Sequence, residues 1–323
     1  FSIIFILILT KKLKNLERIV KKNNINYVVI IFILIHIVVF ITFIFLYIYP
    51  RQVQKSFTYT FYSYFNAALF ALLLFDLPMS ISFIIDFIFL RQLKRPVLPY
   101  AGFIFSLCII ASITWGTFFG AKRIFINDVD LYFDNLPSSF DGYKIMQISD
   151  IHSGNSFDTK YLLNRSKDIA EENELDMVLF TGDIVNNYAH ELDGLEEYYK
   201  NLTSDYLSFS ILGNHDYGNY AVWESAEAKD ANFNAIIRLQ SEFGFRLLRN
   251  ENEVIKIDND SIFIIGVENW GHPPFPQYAE LEKAVKGLPP DAFSILMTHD
   301  PVHWLRQVKG IKDIEFTVAG HTH

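Results

Sequence analysis

The sequence predicts a two-part chain: an α-helical membrane bundle over residues 1–120, then a layered α/β domain over residues 121–323. Three observations carry this. Uncharged apolar runs long enough to cross a bilayer are confined to the first 120 residues. The charge changes sign at the same place, with 11 Lys+Arg against 3 Asp+Glu before residue 121 and 17 against 33 after it, within a whole-chain net of −8. From about residue 144 onward, short apolar runs of strand length alternate with stretches of helical spacing.

The membrane part is read first. Tyr27–Tyr49 is a run without Asp, Glu, Lys or Arg, and at 1.5 Å per residue it reaches roughly 35 Å, enough to span a bilayer. Its β-branched residues would favour strand in water. In lipid the backbone polar groups must be satisfied within the segment, so such a run is helical. Further runs cover about 65–90 and 100–119. Phe1–Leu9 is too short to span and has no basic residues ahead of it, so it reads as the stump of a truncated helix. From the start on Phe1 and the end on a motif, the expectation is a fragment cut at both ends.

Lys11, Lys12, Lys14, Arg18, Lys21 and Lys22 crowd the loop at 10–26, and Arg91, Lys94 and Arg95 the loop at 91–96, against Arg51 and Lys55 in the loop at 50–60. Basic loops stay cytoplasmic, so the last helix delivers the second domain to the outer face. The expectation is an integral membrane protein with an extracytoplasmic domain, although Lys122 and Arg123 weigh against that orientation. Asp76 and Asp86 are expected to face the bundle interior, hydrogen-bonded beside a break at Pro78, with a polar path or head-group contact as the alternative. His36 reads as an interhelical hydrogen-bonding residue.

In the second part, Ile124, Ile126, Leu131 and Phe133 suggest an opening strand or ribbon. Strands are expected at 144–149, 176–181, 206–212, 245–249, 253–257, 261–267, 293–298 and 314–319, and helices at 159–173 (N-capped by Asp158), 192–202, 224–243 and near 278–286. The late strands have little helix between them, so some should pair antiparallel. The acidic balance excludes non-specific nucleic-acid binding, which needs a positive face. Cys108 is the one cysteine, so no intrachain disulfide can form.

Five of the expected strands run into polar motifs: "SDIHSG" with Asp150 and His152, "GDIVNN" with Asp183 and Asn186, "GNHDYG" with Asn214, His215 and Asp216, "THDP" with His299, and "GHTH" with His321 and His323. Taken singly each is weak, since such fragments also make ordinary turns. The two histidines of the last motif could hold one ion on one side of an extended chain, or form a polar strand end. Taken together the motifs point to a site at the carboxyl ends of the strands. Mixed Asp, Asn and His ligands suit two borderline divalent cations such as Mn, Fe or Zn rather than Ca. A shared carboxylate would ease their repulsion, and Asp183, on the central strand of the set, is the natural bridge. Of the other histidines, His303 reads as helix surface, while His190 and His272 are candidates to line a substrate mouth.

The ordered set "ISDIHSG", "TGDIVN", "LGNHDYG", "LMTHDP" and "AGHTH" resembles the calcineurin-like metallophosphoesterase superfamily over roughly residues 124–323. The resemblance implies a four-layer αββα sandwich, a double β-sandwich flanked by helices. It implies one metal held by Asp150, His152 and His323, a second by Asn214, His299 and His321, and Asp183 between them. His215 would support the transition state or protonate the leaving oxygen, oriented by Asp216. Within the superfamily the chain is similar to a membrane-attached bacterial branch, the YkuE/YaeI group, with members that act on phosphoesters, some on UDP-diacylglucosamine-type lipids. The implied activity is metal-dependent phosphoester hydrolysis, with a lipid-linked or cell-envelope ester as one substrate class. A membrane receptor or transporter-like protein with a non-catalytic phosphoesterase-like binding domain is the alternative.

Overall fold

The structure is a computed structural model, and it describes residues 37, 38, 41, 56–89, 97–120, 123–154, 159–273, 275–310 and 314–322. The expected first span at 27–49, His36, the basic loops at 10–26 and 91–96, Asp158 and His323 lie at least in part outside the described residues. The chain divides into two compact units, Phe1–Arg123 and Ile124–His323.

In the first unit, α1 (Ser56–Phe89) and α2 (Val97–Phe118) are long apolar helices. Each contains a window apolar enough to cross a membrane by length and composition, Phe65–Ser82 and Tyr100–Thr117. Their outward side chains, among them Phe70, Leu73, Leu77, Ile104 and Phe105, are exposed. Where the helices meet, the contact is close: Ser106 Oγ donates to the Phe75 carbonyl at 2.6 Å, and Gly102 lies against Ser82 and the Pro78 carbonyl, with no room for a Cβ. Small residues at an interface permit such approach. Two expectations are corrected. The helix passes through Pro78 without a break. It also begins at Ser56, inside the segment read as an outer loop, because nothing from Ser56 to Thr60 stops a helix.

The second unit holds two four-stranded sheets, each in sequential order. In the first, β1 (Ile145–Ile148), β2 (Met177–Phe180), β3 (Leu207–Ser210) and β4 (Arg246–Leu247) are all parallel. In the second, β5 (Glu251–Ile257) and β6 (Asp260–Gly266) form an antiparallel hairpin, and β7 (Ser294–Met297) and β8 (Phe316–Val318) add in parallel. The helices α3 (Thr159–Glu172), α4 (Glu196–Thr203), α5 (Ala226–Glu242) and α6 (Leu281–Ala284) cover the outer faces.

Alternation along the strands builds these layers. Met177 and Leu179 of β2 join Phe209, Ile264, Ile295 and Met297 in the core between the sheets. Val178 and Phe180 point the other way, to Leu163, Tyr199, Leu202 and Ile236 of the helices. On the far side, Ile265 and Leu296 pack with Leu281, Ala284 and Val308. Helix, sheet, sheet, helix is the four-layer sandwich expected. Helix ends follow local chemistry: Ser225 Oγ caps α5 by accepting from Ala228 N at 3.2 Å, and Gly244 follows its end with φ +94°.

Two further readings are corrected here. Residues 124–133 are not a strand, and Phe125, Val129 and Tyr132 are exposed; the segment joins the core only at Phe133, whose ring meets that of Phe293 at 5.2 Å. His303 is wholly buried rather than on a helix surface. Its imidazole bonds Thr298 Oγ1 and Gln307 Oε1, each at 3.0 Å, and burial lowers its pKa.

Candidate metal centre

The loops after β1, β2, β3, β7 and β8 meet at one end of the sandwich, because parallel strands place their carboxyl ends together. The ladder carries on past the strands. Thr181 N donates to the Ile148 carbonyl at 2.9 Å and Asp150 N to the Gly182 carbonyl at 3.0 Å, while Gly320 N donates to the His299 carbonyl at 3.0 Å. Those bonds hold the loops in fixed register. Within them the backbone is strained: Asp150, His152, Asp183 and His321 have φ of +54°, +46°, +57° and +71°. A non-glycine residue in this region costs about 1–3 kcal/mol, and such residues gather at functional sites. The φ of His321 also removes the premise of an extended chain through the last motif.

Asp183 is the hub. It is 2% exposed. Its Oδ2 lies 3.6 Å from His152 Nε2 and 3.3 Å from His299 Nε2, and its Oδ1 accepts the His215 amide at 2.8 Å. Two groups with metal-ligand geometry therefore share it: His152, Asp183 and His215 on one side, and Asp183, His299 and His321 on the other. Asp150 joins through Oδ2, which accepts the His321 amide at 2.9 Å. Asn214 joins through Oδ1, 2.9 Å from His299 Nε2. Of the residues expected to bind metal, the structure brings together Asp150, His152, Asp183, Asn214, His299 and His321.

The donor set can be tested for its fit to cations. His299 Nδ1 donates to the Thr181 carbonyl at 2.7 Å, so in the neutral ring Nε2 is bare. That nitrogen faces Asn214 Oδ1, Asp183 Oδ2 and, at 3.2 Å, His321 Nδ1. The Asn214 amide nitrogen donates to Tyr220 Oη at 2.9 Å, which turns its oxygen inward. Lone pairs thus converge where few protons are available, and that suits a divalent cation. The electrostatics agree. Burial opposes the charge on the His299 imidazolium, yet Asp183 and the Thr181 carbonyl outweigh it and carry the pKa up to about 9. Burial likewise opposes the Asp183 carboxylate, and His299 more than offsets this, so its pKa falls.

Asp216 does something other than expected. It is wholly buried, and its carboxylate accepts the backbone amides of Gly213, Asp183, Ile184 and Val185 at 2.9, 2.9, 3.0 and 3.3 Å. Burial, and then the neighbouring Asp183 charge, raises its pKa to about 7 against the pull of those amides. The group that orients His215 is instead the Asn186 carbonyl, which accepts from Nδ1 at 2.8 Å. Asp216 aligns loops rather than the imidazole.

Tyr220, with its ring stacked on His215 at 4.5 Å, and Glu191, described below, were missed by sequence reasoning. Neither sits in a motif; Tyr220 lies six positions past Asn214, and only the turn of the chain brings it back. His190 and His272 are both exposed, stacked respectively on Tyr188 at 5.1 Å and near Trp270 at 6.0 Å.

A double sheet sandwich with this Asp, Asn and His cluster at its strand ends defines a metallophosphoesterase-type domain. The comparison with known families agrees: the model of the calcineurin-like phosphoesterase family matches residues 143–323. The chain belongs to that family. Among curated relatives, the uncharacterized metallophosphoesterase YkuE of Bacillus subtilis is 29% identical, over 58% of this chain and 60% of its own length. A transmembrane protein with metallophosphoesterase domain from Bos taurus is 26% identical, over 61% and 44%. The UDP-2,3-diacylglucosamine pyrophosphatase LpxG of Chlamydia trachomatis is 26% identical, over 58% and 67%. The chain thus spans about 60% of the length of YkuE and less than half of the bovine protein.

Proposed function

We propose that the chain is a membrane-associated, metal-dependent phosphoesterase. The observation that carries this reading is the place of Asp183 Oδ2, between the imidazoles of His152 and His299. Asp150, His152 and His323 would hold one cation, Asn214, His299 and His321 a second, and Asp183 would serve both. Cations so held would neutralise phosphoryl oxygens and acidify a water nucleophile. The chain's own part is to hold Asp183 ionised and to present His215. With Nδ1–H committed to the Asn186 carbonyl, the doubly protonated ring would give its Nε2 proton to the departing oxygen and be left as the neutral ring with its proton on Nδ1.

For the substrate we propose a lipid-linked phosphoester of the cell-envelope kind. The two apolar helices and the similarity to LpxG support it. The charge bias of the sequence supports a domain on the outer face. The test uses the full chain in detergent with Mn²⁺. Release of p-nitrophenol from bis(p-nitrophenyl) phosphate, together with about two metal ions per chain, is expected. A panel of UDP-sugar lipids, phospholipids, polyprenyl phosphates and cyclic nucleotides then ranks substrates, and the lipid-linked esters should lead. Metal-loaded protein inert toward every ester would leave a binding domain in place of an enzyme.

A further inference from the structure

Residues 183–188 run along the centre, and two carboxylates collect each of their backbone amides in turn. Asp216 takes the first three, from Asp183, Ile184 and Val185. Glu191 takes the next three, from Asn186, Asn187 and Tyr188, at 2.7, 3.0 and 2.9 Å, as well as the Asn186 side-chain amide at 2.9 Å. One of these bonds reaches the chemistry. The Asn187 N–H and the Asn186 C=O belong to one planar trans peptide and point in opposite directions. The carboxylate that holds the N–H therefore aims the carbonyl the other way, where it accepts from His215 Nδ1 at 2.8 Å.

We propose that Glu191 is a positioning residue for His215: through the Asn186–Asn187 peptide it sets the direction of the imidazole. This rests on the reading of His215 as the proton donor to the leaving group. A carbonyl only accepts, so Nδ1–H stays with Asn186 and the Nε2 edge of the ring is turned to the substrate, where the doubly protonated ring would give up its Nε2 proton. With Glu191 neutralised, two of the amides it serves lose their partner and the peptide is free to rotate. Its N–H would then face Nδ1, which cannot give its proton to another donor, and the imidazole would turn away from its present direction. A plainer role competes with this one. Glu191 also closes a capping box on the turn Ala189–Leu192, and a cap supports stability without touching catalysis.

A double-mutant cycle in the full chain separates the two. With Mn²⁺ and bis(p-nitrophenyl) phosphate, Glu191→Gln should lower kcat by about 10–100-fold, part of the usual contribution of a general acid. KM should stay within about 2-fold and metal content should not change. In a His215→Ala background the same substitution should have almost no further effect. An equal loss in both backgrounds, or no loss in the first, overturns the proposal and leaves a cap. Should Glu191→Gln not fold, Gly154→Ala takes its place: a Cβ there would press on the Glu191 carboxylate and displace it with its charge intact. If His215→Ala itself keeps full activity, the reading of His215 fails and this inference falls with it.

Discussion

The two sheets of the sandwich contribute to the centre in different ways. The first sends Asp150, His152, Asp183, Asn214 and His215 from the ends of three parallel strands, and its loops are stapled from within by Asp216 and Glu191. The second contributes imidazoles, His299 and His321, and both lean on the first sheet for their orientation, His299 through the Thr181 carbonyl and His321 through Asp150. The acids that would attract cations and most of the imidazoles that would bind them therefore sit on different layers. The cluster exists only when the layers are packed, so any metal affinity it has would be linked to tertiary stability.

The sharpest break of this contrast is at the hub. Asp183→Asn keeps the shape but removes the charge that both layers share, and activity should fall more than about 10³-fold with loss of bound metal. An active, metal-loaded variant would mean that the two groups do not depend on a common carboxylate. His215→Ala should lower kcat by about 10²–10⁴-fold while metal content, measured by mass spectrometry, stays near that of the unaltered chain. A parallel loss of metal would move His215 from proton donor to ligand.

Gly182 sits where the layers touch. It has φ +98°, and a Cβ there would meet the Gly213 backbone and His299 Nδ1. Gly182→Ala should destabilise the domain by roughly 1–3 kcal/mol from backbone strain alone and weaken metal binding with it, both visible in thermal denaturation with and without Mn²⁺. Unchanged stability would show that the layers have more slack than their packing indicates. Chelation of the unaltered chain should lower Tm by about 5–10 °C, given about 2.7 kcal/mol for ligand at 100 times Kd and about 2–4 °C per kcal/mol at this size. A Tm indifferent to metal would uncouple the site from the packing of the sheets.

The smallest effect is with pH in the metal-free chain. The pKa of His299 is raised in the fold to about 9 from 6.5, so its contribution is full below pH 6.5 and is lost as pH climbs through about 9. The raised pKa of Asp216 acts in the same sense at lower pH, whereas Asp183, with a lowered pKa, withdraws stability as pH falls below 3.8. Tm measured in chelator should thus decline between pH 6.5 and 9, and added Mn²⁺ should flatten the decline by displacing the His299 proton. A Tm that rises over that interval would contradict the electrostatic coupling of the two layers.

Much of this was legible in the order of residues. Strands such as Met177–Phe180 announce themselves as short apolar runs bounded by Gly and Asp, and each hands over to a polar motif whose residue types are those of metal ligands. The alternation of those runs with amphipathic stretches predicted the layers, and the break in charge near residue 121 marks a change of composition. Such signals survive in one dimension because they depend on period and residue type. Hydrophobic character alone was a poorer guide for Ile124–Phe133, which has the alternation of a strand without pairing as one. Likewise His303, read as helix surface because it is polar, is core, with Thr298 and Gln307 satisfying its ring.

Only the folded chain could decide which groups face one another. That Asp216 holds four amides and not His215, that the peptide behind Asn186 orients the imidazole, and that Tyr220 folds back onto Asn214 are facts of direction. Direction comes from the left-handed turns at Asp150, His152, Asp183 and His321 and from contacts between loops far apart in sequence. Residue identity carries the chemistry each position can perform. The partner it performs it with depends on backbone angles that no local pattern encodes.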